Sequence, residues 1–213
     1  IDSDREVVTF ISQMKIDRHD SAIQKPTKFI GKVFSEQTAY KLAKKYDWKI
    51  AKQENEEWRR VVPSPNPLYI FNGKSIKHLV DFGTIVIAGG GGGIAAYNKE
   101  DGTLKGLDAV VDKDKTAALL GRIIKAEEYF IITDVDNIYL NYNTENQQQI
   151  STAKASEIKK WLDEGHFGIG SMEPKIKSAL YFLKHHGKKV VITSINKLEK
   201  AIAGKAGTQI IKD

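Results

Sequence analysis

Hydrophobic residues fall along this chain in two rhythms, and the change between them marks its organisation. Near the start, Val7-Val8-Thr9-Phe10-Ile11 is a β-branched run that reads as a buried strand. From residue 24 to 72 the pattern breaks. This stretch carries Pro26, Pro63, Pro65 and Pro67, leaving only Pro174 elsewhere. It predicts one helix, with Ser35 as cap and Ala39, Leu42, Ala43 and Tyr46 at i, i+3, i+4 and i+7. Candidate strands follow at residues 48–50 and 58–62, and the whole stretch reads as a small protruding subdomain.

From Lys74 onward, apolar strands alternate with amphipathic helices. Ile76, Leu79 and Val80 form a helix stripe ended by Gly83. Residues 84–88 (TIVIA) make a fully apolar strand that runs into five consecutive glycines, and a polar hairpin turns at Lys99-Glu100-Asp101-Gly102. A helix begins near Asp112 and carries Ala117, Leu120 and Ile124, and residues 129–133 (YFIIT) form a second buried strand. Ala155, Ile158 and Leu162 predict a helix that stops at Gly165. Ile176, Ala179, Leu180 and Leu183 predict another, with Pro174 in its first turn and Gly187 past its end. Strands at 189–193 and 208–211 flank a short helix around Leu198. The alternation predicts an α/β fold, a three-layer αβα sandwich around a mainly parallel open sheet, with residues 24–72 inserted as the protruding subdomain.

Composition narrows this picture. Of 213 residues, 41% are hydrophobic and 28% charged, enough for a core and too much for a disordered chain. No run of apolar residues is long enough to span a membrane. Cysteine is absent, which excludes disulfides, thiolate zinc sites and a thiol nucleophile, and fits a reducing compartment. Lys and Arg number 33 against 27 acids, a net charge of +6. The excess is dispersed, as at Lys41, Lys44 and Lys45 on a solvated helix face. An anionic small substrate accounts for it as well as nucleic acid does, and no nucleic-acid partner is expected.

The glycine run 89–93 is the strongest local feature. Placed after a strand, it exposes backbone amides and lets an oxyanion approach the main chain. Gly90-x-Gly92-x-x-Ala95 matches a dinucleotide fingerprint, but Tyr97 to Gly102 turns where that fingerprint needs a helix. Gly73-Lys74-Ser75 ends like a P-loop, but Leu68 stands where the first glycine belongs. Asp112-Lys113-Asp114 opens a helix. Either Asp112 merely caps it, or the acids and lysine serve phosphoryl transfer; the sequence leaves both open. Thr133-Asp134-Val135-Asp136 follows a buried strand, where open parallel sheets bind ligands, or else forms a capped turn. Lys175 sits in a first helical turn, against the dipole, which favours a binding role. His166, His185 and His186 have no partners at metal-ligand spacing.

In this order the motifs resemble those of a carbamate kinase of the amino acid kinase superfamily. They are Pro26-Thr27-Lys28 with Ile30-Gly31, Trp58-Arg59-Arg60-Val61-Val62-Pro63-Ser64-Pro65, the glycine run with Ile94, and residues 106–114 (GLDAVVDKD). Thr133 to Asp136 with Tyr139, Gly165-His166-Phe167, Gly170-Ser171-Met172, Pro174-Lys175 and Gly207-Thr208 complete the set. The resemblance implies conversion of carbamoyl phosphate and ADP into ATP and carbamate with Mg²⁺, in a cytoplasmic homodimer serving arginine breakdown. It implies that Lys175 holds the transferring phosphoryl from the nucleotide side, that Lys113 acts beside it, and that Asp114 orients the lysines. Lys28 would reach over the substrate as a lid. Gly90, Gly91, Gly92, Gly93 and Asp112 would line the carbamoyl phosphate end, and Thr133, Asp134, Val135, Asp136, Tyr139 and Met172 the adenine end. The resemblance assigns no metal ligands.

Phe29, Glu57, Ala95 and Gly168-Ile169 depart from the family's usual residues. Members also carry a longer front portion with a Gly-Gly-Asn loop that grips phosphates. The chain therefore reads as the C-terminal two-thirds of such a domain. Loss of one oxyanion donor costs roughly 10²–10³ in rate, so this piece is expected to be weak or inactive alone. The alternative is a non-catalytic remnant that binds nucleotide or carbamoyl phosphate.

Overall fold

The computed structural model describes residues 4–53, 56–168 and 171–213; Ile169 and Gly170 lie outside them. The chain runs β1 (Val7–Thr9), β2 (Gln13–Ile16), α1 (Ser21–Gln24), β3 (Lys28–Phe34), α2 (Glu36–Tyr46), β4 (Lys49–Lys52), β5 (Trp58–Val62) and β6 (Pro67–Ile70). After α3 (Gly73–Asp81) come β7 (Ile85–Ile87), β8 (Ile94–Asn98), β9 (Leu104–Gly106) and α4 (Lys113–Ile124). Then follow β10 (Glu128–Thr133), β11 (Ile138–Leu140), β12 (Gln148–Ile150), β13 (Thr152–Lys154), α5 (Ala155–Asp163), α6 (Met172–His185), β14 (Lys189–Ser194), α7 (Leu198–Ile202) and β15 (Thr208–Ile211). The fold is α/β, with parallel and mixed sheets. Among the described residues no helix is long and apolar enough to cross a membrane.

The chain divides into two compact units. The first comprises residues 1–72 and 83–116. Its four-stranded sheet has the order β6-β2-β8-β9, with β2 and β8 parallel and the flanking pairs antiparallel. The β8–β9 hairpin turns where the sequence predicts, closed by Lys99 N–H donating to Thr103 O at 2.8 Å. Met14, Ile70 and Val111 are wholly buried. In residues 24–72, β3-β5-β4 form an antiparallel sheet. Helix α2 packs on it through the Tyr40 and Trp58 rings, 5.1 Å apart. Ser35 occupies the N-cap of α2, but its hydroxyl donates to Thr38 Oγ1 rather than accepting from the backbone.

One expectation fails here. Residues 7–11 and 84–88 read as buried strands. They form β1 and β7, which pair in parallel with each other. Yet Val7 is 59% exposed, Ile87 54% and Ile11 81%. Apolar runs of this kind are usually buried on both faces, and nothing among the described residues covers this outer face.

The second unit comprises residues 73–82 and 117–213. Its sheet has the order β10-β14-β15-β13; β10–β14 and β13–β15 are parallel and β14–β15 antiparallel. β14 is buried from Val190 to Ser194. Ile131, Ile176, Ile192 and Ile210 build one core around Phe182. The Phe182 ring sits so close to Gly121 and Gly187 that a methyl at either would approach it to 2.7 and 2.1 Å. This is why glycine stands where α4 passes the Phe182 ring of α6.

Candidate active site

In the first unit the chemistry gathers at the start of α4. Asp112 Oδ1 accepts from the amides of Asp114 (2.9 Å) and Lys115 (3.3 Å), capping the helix. Its second oxygen, Oδ2, accepts from Lys28 Nζ at 3.1 Å, across 84 residues of sequence. Asp112 therefore caps the helix with one oxygen and holds Lys28 with the other. Burial pushes its carboxyl up. The hydrogen bond and charge of Lys28, with the two amides, outweigh burial and hold it below the ordinary carboxylate range. Lys113 Nζ lies 3.9 Å from Asp114 Oδ2; Asp114 is buried, whereas Lys113 extends into solvent.

The glycine run is seated on this helix start. Gly89 N–H donates to Ser12 Oγ at 2.8 Å, and Thr116 Oγ1 donates to Gly92 O at 2.8 Å. The five glycines divide by role. A methyl at Gly92 would lie 1.8 Å from Val111 O, and one at Gly93 2.6 Å from Met14 Cγ, so these serve close backbone packing. Gly90 and Gly91 are exposed, with nothing near where a side chain would begin. They are the pair open to a ligand. Ser12 and Thr116, which hold the loop, escaped the sequence reading: neither stands in a motif, and each acts through a contact distant in sequence.

Residues 60–66 meet the same region. Val110 N–H donates to Pro63 O at 2.9 Å, Arg60 pairs with Asp108, and Lys115 Nζ donates to Asn66 Oδ1 at 2.7 Å. Arg60 also lies over the Trp48 ring, 4.9 Å from its centroid. Lys28, on the first residue of β3, thus has its strand braced against the segment leading into α4.

The second unit holds the other predicted residues. Thr133 ends β10 and pairs in register with Ser194, which ends β14. Asp134 and Asp136 follow beyond these parallel strand ends, where open sheets place ligand loops. Thr133 Oγ1 donates to Asp134 Oδ1 at 2.9 Å, and Ser194 Oγ donates to Asp136 Oδ1. Val135 is half-buried between the two acids. Tyr139 lies on β11, its ring 5.8 Å from that of Tyr142. Met172 opens α6 and packs on the Phe182 core, and Lys175 is half-buried in the first turn of that helix. The structure thus brings Lys28, Gly90 to Gly93, Asp112, Lys113 and Asp114 together in one unit, and Thr133 to Asp136, Tyr139, Met172 and Lys175 in the other. Among the described residues no three acidic or imidazole groups converge as a metal cage.

Residues 7–194 match the model of the Amino acid kinase family. The chain is 42% identical over 207 residues to a carbamate kinase of Pyrococcus horikoshii, covering 97% of this chain and 66% of that one. It is 41% identical to a carbamate kinase of Staphylococcus epidermidis, covering 98% and 68%. The structure of a Giardia lamblia carbamate kinase bound to AMP-PNP superposes with a TM-score of 0.87 and 38% identity, over 98% of this chain and 66% of that one. The chain spans about two-thirds of the length of these relatives.

Proposed function

The chain belongs to the amino acid kinase family, alongside its carbamate kinases, and from that premise we propose that the protein transfers a phosphoryl group between carbamoyl phosphate and ADP. A β-phosphate oxygen of ADP attacks phosphorus, the bond from phosphorus to the carbamoyl oxygen breaks, and carbamate leaves as ATP forms. Such transfer needs little covalent help from protein; positioning and charge neutralisation do most of it. Lysines suit the task as compact point charges. Lys28 and Lys113 would neutralise the carbamoyl phosphate end, with the exposed amides of Gly90 and Gly91 as further donors. Lys175 would follow the phosphoryl group from the nucleotide end. Asp112 and Asp114 would hold the lysines, and Thr133 to Asp136, Tyr139 and Met172 would wall the adenine. Mg²⁺ would enter as the nucleotide complex, carried on phosphate oxygens and so part of the substrate. A homodimer, a cytoplasmic setting and a role after arginine breakdown belong to the same reading and rest on family likeness.

The observation that carries the reading is Lys28 tied to Asp112 at the helix start on which the open glycine tip is seated. The test supplies carbamoyl phosphate and MgADP and follows ATP formation. ATP formation that Lys113→Ala abolishes supports the proposal. Specific ADP binding with no ATP formed would instead favour a nucleotide-binding remnant. Neither binding nor turnover would overturn both.

A further inference from the structure

Several lysines on the second unit pair with acids: Lys159 with Asp163, Lys177 with Glu173 and Lys188 with Glu127. Three lysines with no such pair are gathered in one place. A polar hollow of about 500 Å³ opens beside the β11–β12 hairpin and the turn between α7 and β15. Lys197, Lys200 and Lys205 line it, and Asp136 is its only carboxylate, leaving two positive charges in excess. Asp136 already accepts from the Ser194 hydroxyl. None of the three ammonium groups has a hydrogen-bond or ion-pair partner among the described residues.

The backbone points the same way. The amides of Ala206 and Gly207, both lining the hollow, donate to no acceptor among the described residues, although Gly207 is buried. An amide that lines a hollow and has no acceptor in the chain is free to donate to one from outside. Three unpaired cations and two spare amides ask for a compact, multiply charged oxyanion. The lining carries no aromatic ring on which a nucleobase could stack. It carries lysines rather than the arginine forks that suit planar carboxylates. We propose that this hollow binds a small phosphate anion of the pyrophosphate class, held by Lys197, Lys200 and Lys205. The hollow shares Asp136 with the adenine wall of the phosphoryl-transfer reading but none of its lysines or glycines, and its test uses no turnover.

Pyrophosphate is titrated into the 213-residue chain at low salt by calorimetry. Saturable binding is expected, weakened at least about tenfold by K197Q/K200Q/K205Q, which removes three charge-assisted bonds at an exposed site. K184Q/K212Q, which removes two other lysines of this unit that lack partners, leaves it within about twofold. A K28Q/K113Q/K175Q variant retains this binding, which separates the hollow from the proposed transfer residues. Full affinity in K197Q/K200Q/K205Q, or loss of all binding in K28Q/K113Q/K175Q, overturns the proposal. Amide NMR gives a second reading that needs no variant: pyrophosphate shifts the Ala206 and Gly207 signals, and their indifference at saturation also overturns it.

Discussion

The Lys28–Asp112 ion pair joins a strand of the subdomain to the start of α4, and its contribution can be worked out before it is measured. The Lys28 side chain is 39% exposed and that of Asp112 10%, so the pair is neither fully screened nor fully desolvated. For that setting a coupling of about 1 kcal/mol is expected. Asp112→Asn keeps an oxygen to cap α4 but loses the charge, and should cost about 1–2 kcal/mol, the helix dipole contributing part. Asp112→Ala loses the cap too and should cost roughly 1 kcal/mol more. A double-mutant cycle of Asp112→Asn with Lys28→Met, read by urea unfolding, isolates the pair. The pH dependence has a fixed sign. Asp112 is held below its usual value, so its contribution is fully present above the unfolded carboxylate pKa and fades as pH falls through the lower folded one. The coupling should be constant from pH 7 down to about 5 and vanish in strong acid. In Lys28→Met the Asp112 carboxyl should titrate higher than in the parent, because burial is then opposed by the amides alone. A coupling below about 0.3 kcal/mol at pH 7, or one that survives acid, would refute the assignment of Asp112 as the anchor of Lys28.

Other consequences follow from single positions. Gly92→Ala should destabilise by roughly 3–5 kcal/mol in urea unfolding, since φ is +130° and the methyl meets Val111 O, whereas Gly90→Ala at φ +48° in open space should cost only about 1–2. Thr193 Oγ1 is fully buried with no partner among the described residues, so Thr193→Val should leave thermal stability unchanged or raise it by about 1 kcal/mol; a loss above that would reveal a partner for the hydroxyl. If Lys175 follows the phosphoryl group, Lys175→Ala should lower kcat far more than ADP affinity; equal losses would mean that it binds only the ground state.

Much of the fold was legible because its signals are local. The continuous β-branched runs gave β10 and β14, and the stripes around Ala117 and Ala179 gave α4 and α6, since both patterns sit within one element. β2 and β6 were missed for the opposite reason. Gln13-Met14-Lys15-Ile16 has only two apolar residues, and what makes it a strand is pairing with residues 94–96 and 67–70 far along the chain. β1 and β7 were seen as strands but given the wrong surroundings. A run of Val and Ile specifies that a face must be covered, not which segment covers it.

The site was legible by residue type but not by division of labour. A run of five glycines after a strand predicts backbone close to something, and only part of the run has such a neighbour: Gly92 and Gly93 face the chain's own Val111 and Met14, while Gly90 and Gly91 face outward. No local pattern separates them, because the partner of each lies on another element. The same holds for Asp112. Capping and lysine-holding looked like rival readings of one carboxylate, yet its two oxygens point to different partners, Oδ1 to the helix amides and Oδ2 to Lys28. A side chain that ties a helix start to a lysine on another element couples the position of that lysine to the integrity of the helix. An acid in this place acts through what it holds, and its removal should disturb Lys28 even where the cap is kept.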